Sequence, residues 1–198
     1  MGKLCSKKYS INAMPVGKLS TRQKNKDALY RFIRINNMKE NTKWVFFNLT
    51  VAFTLYWTGN LLLWFPWSIN ANLGIGLMLT IMPLLWGIGI YHCLIRYKGE
   101  KVLTGVIINS IIMLVSAVVS DYIFFGLIRG AMNDLYQPAT FYGYVFLIIM
   151  PFLELLFFKK LIIKKRCPLT ANSFISFGAI GLFSLLILIA IIKFDIKI

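Results

Sequence analysis

Three ionisable side chains stand inside apolar runs of this chain. Asp121 lies in "VVSDYIFFGLIRG", Glu154 in "MPFLELLFF" and His92 in "IGIYHCLIRY". An ionisable group at hydrocarbon depth costs at least a few kcal/mol, so each is a functional candidate by default. Acids staggered on facing helices are what a proton relay or an ion-coupled transporter needs. Two acids at one level would instead share a proton, as in a paired-aspartate protease. Depth separates these chemistries. With a rise of about 1.5 Å per residue, Asp121 lies roughly 10 Å outward of the middle of its run. Glu154 lies about 7 Å inward of the middle of its own, so some 17 Å along the membrane normal divides them. That stagger argues against a shared-proton pair.

Each acid has polar company at its own level. Asn60, Thr80 and Tyr144 fall near Asp121, and Asn48, Asn109 and Ser176 fall near Glu154. His92 lies about 5 Å deeper than Glu154 and would reach it if the second and fourth runs were neighbours. Asn109, Met113, Ser116, Ser120 and Phe124 recur at three- and four-residue steps, with Asp121 beside the stripe. Asn48, Ala52, Tyr56 and Asn60 form a similar stripe. Helical faces of this kind pack against protein or water rather than lipid. Two polar tiers are therefore expected, one per leaflet, with Pro83 and Pro151 near the apolar middle.

A plainer reading stands beside the functional one. Small and polar residues are the ordinary glue of helix packing in lipid. Glu154 would then pair with Lys159 or Lys160 at the headgroups, His92 would be a packed or solvated histidine, and Asp121 a buried anchor. Catalytic signatures do not favour an enzyme. The chain has no H-E-x-x-H, no G-x-S-x-G, no Walker loop and no cysteine cluster. His92 and Cys93 are adjacent, so on a helix they point about 100° apart, a poor nucleophile–base arrangement. Cys5, Cys93 and Cys167 show no metal-ligand spacing, and neither a metal nor a cofactor is expected.

The elements that must carry these residues are long. The chain has 198 residues, is 58% hydrophobic and has a mean hydropathy of +0.70. Its apolar residues come in blocks of the roughly 20 residues that span a bilayer. Five blocks qualify, at about 44–65, 73–95, 102–128, 141–158 and 173–192. In lipid each backbone amide must be satisfied within its own segment, which requires helices. The expected fold is an all-α integral membrane protein: a five-helix transmembrane bundle over residues 44–198 behind a basic arm, residues 1–43. The polar start of that arm does not fit a cleavable signal peptide.

The net charge of +15 is unevenly placed. Eleven of the basic residues crowd the arm, from Lys3 to Lys43. Others recur at Arg96, Lys98 and Lys101, then at Lys159, Lys160, Lys164, Lys165 and Arg166. The intervening connections, 68–72 and 129–140, hold one basic residue, Arg129. This alternation places the N-terminus in the cytoplasm and, after five spans, the C-terminus outside. The charge thus points to anionic lipid of the inner leaflet, contacted by Lys159 through Arg166, and not to nucleic acid. In the arm, Ser20 and Gln23 form a possible capping box. Leu29, Phe32 and Ile33 follow at helical spacing, as in an amphipathic helix on the inner surface. "MGKLCS" matches the myristoylation pattern, but Ile, Lys and Asn usage is that of an AT-rich bacterial genome, which would lack the enzyme. The "NLT" at Asn48 is a glycosylation sequon placed inside a span. Tyr136, Tyr142, Tyr144, Trp64 and Trp67 suit an outer aromatic belt.

The functional expectation is an accessory, assembly or immunity-type protein of the cell membrane that binds another membrane protein. The alternative is a small ion- or proton-coupled transporter, self-associating because five helices make a narrow bundle.

Overall fold

A computed structural model describes residues 19–194, and for residues 19–39 the backbone alone. The described chain is all-α. Five long helices follow one another: α1 (Leu19–Ile69), α2 (Ala71–Leu94), α3 (Val102–Asp121), α4 (Pro138–Lys164) and α5 (Ala171–Lys193). A π-helical segment, Tyr122–Ile128, continues α3, and a 3₁₀ turn, Met132–Tyr136, leads into α4. Four stretches are long and apolar enough to cross a membrane: Glu40–Leu63 of α1, Asn72–Leu94, Val102–Ile128 and Ala171–Lys193. They point to a multi-pass membrane protein.

The expected fifth crossing, at 141–158, is not among those four. Its helix, α4, is 27 residues long but carries Pro151 and Glu154 within it and Lys159, Lys160 and Lys164 near its end. Those lysines, expected in a loop, belong to the helix. Lysine is a good helix former, and basic charge at a helix C-terminus complements the macrodipole. The arm's backbone runs without a break into the first span as part of α1. The side chains of the amphipathic stretch, Leu29 to Ile33, lie outside the described residues, as do Cys5 and the "MGKLCS" start.

α1 is the axis of the bundle. Trp44, Phe47, Asn48, Val51, Ala52 and Leu55 recur at steps of three and four, and all are buried. Around this stripe pack α2, α3 and α5, while α4 packs on α3 and α2. The α2 seam is Met82, Trp86, Ile90, Cys93 and Leu94, and the α3 seam Val106, Asn109, Met113 and Ala117. The α5 seam uses small residues. A Cβ built on Gly181 would stand 2.9 Å from Thr54 Cα, so the α1 and α5 backbones approach as closely as glycine allows. Thr54 Oγ1 donates to the Phe177 carbonyl at 2.6 Å, and the Thr58 and Ser184 hydroxyls meet at 3.0 Å. Between lipid-facing helices, where no hydrophobic force drives association, such close packing and polar contact hold the pair.

The basic connections converge on one end. Lys98 pairs with Glu40 at 2.6 Å, and Glu40 also holds Lys43 at 3.0 Å. Arg166 donates to the Gly99 carbonyl, and the Cys167 amide to the Ile95 carbonyl. The start of the first span, the α2–α3 connection and the α4–α5 connection are thus tied together.

Candidate functional site

Apart from the hydroxyl contacts of the α1–α5 seam, three polar groups of the described residues bear on the candidate site. The first centres on Asp121, the last residue of α3, where the winding changes from α to π. Such segments recur at functional positions in helices. The widened turn ends with the Arg129 amide on the Phe124 carbonyl, five residues back. It directs Phe124 inward, edge-on to Trp57, with ring centres 6.2 Å apart. Asp121 is 9% exposed, and both its oxygens are occupied. Tyr56 of α1 donates its hydroxyl to Oδ1 at 2.6 Å, and Tyr144 of α4 donates to Oδ2 at 2.7 Å. One carboxyl thus joins three helices. Asn60, expected beside it, donates to the Tyr56 carbonyl one turn back and also contacts the Tyr56 phenol. Thr80, expected there too, donates to the Gly76 carbonyl on its own helix.

The second group joins α1 and α3 nearer the basic end. Asn109 donates its side-chain amide to the Asn48 side-chain oxygen, and Asn48 donates to the Trp44 carbonyl at 2.8 Å. Trp44 Nε1 in turn donates to the Cys93 carbonyl at 2.7 Å, which brings in α2. Asn48 and Asn109 are fully buried and face each other. Ser176, expected at their level, is exposed on α5.

Glu154 forms the third group, on α4. It lies ten residues beyond Tyr144, about 15 Å of helical rise, which keeps the two carboxylates in separate places. It is 7% exposed, and its Oε2 atom is buried with no hydrogen-bond partner among the described residues. Its Oε1 rests over the α2 backbone at Gly87, 3.0 Å from where a Cβ would stand. No ion pair joins it to Lys159 or Lys160, which are exposed, as are Lys164, Lys165 and Arg166. His92 does not complete this group, although α2 and α4 are neighbours. Its Nδ1 lies 2.9 Å from Arg96 Nη1, and its ring centre is 6.0 Å from that of Phe177 on α5. The Arg96 guanidinium stacks over Phe47 at 5.1 Å. His92 therefore faces α1 and α5, and Glu154 faces the other side of α2.

Gly87 was not legible as a site residue, because what marks it is a carboxylate from another helix. Tyr56 was visible as part of a polar stripe, but its pairing with Asp121 was not. No family model, curated protein or solved structure matches the chain.

Proposed function

We propose that the chain crosses the cell membrane five times, α4 included, with its basic end in the cytoplasm, and serves as an accessory or assembly protein that binds another membrane protein. The observation that carries this reading is the closure of Asp121. Its two oxygens are taken by phenols from two other helices, so the best intramembrane acid is a three-helix anchor. The Asn48–Asn109 hydrogen bond ties α1 to α3 in the other tier, although Asn109 Oδ1 is left without a partner among the described residues. Polar groups that satisfy one another make a fixed bundle, which suits a docking subunit better than a relay. Satisfied networks rigidify a core. Crossing by α4 is supported by its contacts with α3, from Tyr144 on Asp121 to the Ile148 carbonyl on Ser110. The basic cluster, Lys159 to Arg166, then lies against anionic headgroups.

Gentle purification from the native host, followed by native mass spectrometry, tests this. The expected result is a stoichiometric protein partner whose retention survives Asp121→Asn. A homo-oligomer carrying only lipid overturns it. The transporter reading is favoured by a different observation, the unpartnered carboxyl of Glu154.

A further inference from the structure

Between α2 and α4 runs a groove with a cavity of about 240 Å³. Gly87, Ile88 and Tyr91 line it from α2, and Glu154, Phe158 and Leu161 from α4. Ile88, Phe158 and Leu161 are exposed on the outer face of the bundle, so the groove opens sideways toward the surrounding apolar phase. Its walls are largely apolar, and Glu154 carries their one carboxyl; the other polar group among the lining side chains is the Tyr91 phenol. Glu154 is more than nine-tenths buried, and its Oε2 has no partner among the described residues. Trp57 Nε1, Arg96 Nε and Asn109 Oδ1 are also buried without a partner among the described residues, but Glu154 holds the one carboxyl in this state, and it lines this groove. An orphaned buried polar atom calls for an explanation. Gly87 gives the carboxyl room, since any side chain there would press on Oε1. Two aromatic rings flank it, Tyr91 and Phe158, with centres 6.2 Å apart and tilted at 69°.

We propose that this groove is a binding site for a small lipophilic cation, such as an aromatic quaternary ammonium or amine. The chemistry matches term by term. The carboxylate supplies the counter-charge in a low-dielectric place, where an ion pair is strongest. The faces of Tyr91 and Phe158 attract a cation that carries little hydration. The apolar walls take the ligand's hydrocarbon. The volume has room for roughly eight water-sized groups, enough for an ammonium head and part of a ring. Entry from the bilayer side requires a ligand that partitions there. This site is independent of the accessory reading, since its residues share no contact with the Asp121 anchor.

The test uses the full-length protein in detergent micelles, with benzyltrimethylammonium as the probe and equilibrium dialysis as the readout. Wild type is expected to bind it saturably. Glu154→Gln keeps the shape of the side chain and removes its charge, and is expected to weaken binding about thirtyfold or more. Phe158→Ala, at a position exposed enough to leave the fold intact, is expected to weaken it roughly threefold. An uncharged isostere, neopentylbenzene, is expected not to compete. Absence of saturable binding by the wild type overturns the proposal, as does Glu154→Gln binding as tightly as wild type. Failure here leaves a co-purifying protein partner standing, and loss of that partner leaves cation binding standing.

Discussion

At the scale of single residues, the two carboxyls are opposites. Asp121 has both oxygens satisfied, and Glu154 has one orphaned. Charge-assisted hydrogen bonds are stronger than neutral ones, yet hydrogen bonds between helices in lipid contribute only about 0.6–2 kcal/mol. Removing the phenol hydroxyl with Tyr56→Phe leaves a buried acid oxygen bare, and is expected to destabilise the protein by about 1–2 kcal/mol. Tyr144→Phe affects a less buried phenol and is expected to have the smaller effect. Asp121→Asn still presents one acceptor, and its amide can donate to a phenol oxygen, so the variant is expected to fold with the smallest loss of the three. Thermal unfolding in detergent, followed by tryptophan fluorescence, ranks the three. A Tyr56→Phe protein as stable as wild type would show that the anchor is not structural.

At the scale of elements, α1 and α5 meet across a seam that has no room for a side chain at Gly181. Overpacking typically costs about 1–3 kcal/mol, and here the atom in the way is backbone. Gly181→Val is therefore expected to push α5 off α1. A cysteine pair, Thr58→Cys with Ser184→Cys, reports this directly, because the parent hydroxyls are 3.0 Å apart. Oxidant-induced cross-linking should be efficient in the parent and largely lost when Gly181→Val is added. Equal yields would mean that α5 is held by other contacts. α1, α3 and α5 together line a largely apolar crevice of about 530 Å³ that includes Trp57.

At the scale of the whole molecule, the orientation we propose rests on charge. Three basic connections share one end, and the hydrogen bonds and ion pairs that tie them cannot form unless α2, α3 and α4 alternate in direction. If α4 crosses, a reporter fused after α5 lies on the side opposite the basic end. Alkaline phosphatase fused at the C-terminus is then expected to be active and green fluorescent protein dark there, with the reverse in the 95–101 connection. A fluorescent C-terminal fusion would mean that α4 fails to cross.

Composition and period alone determined that the chain is helical, membrane-located and basic at alternate connections. Those properties are additive along the chain. A run of apolar residues needs no partner to be recognised, and a stripe at steps of three and four marks the buried face of α1 or α3 before any neighbour is known. Tertiary structure alone decided which polar residues meet. Asp121, Tyr56 and Tyr144 come from three helices, and only the rotation and shift of each about its axis brings the phenols to the carboxyl. The turn to π winding after Asp121, with Phe124 buried in it, is likewise invisible in composition. His92 turned to Arg96 and Phe177 rather than to Glu154, since on a helix one residue of difference in facing selects a different neighbour. Gly87 acquired its meaning from a carboxylate 67 positions away in the chain, held over it by the packing of α4 on α2.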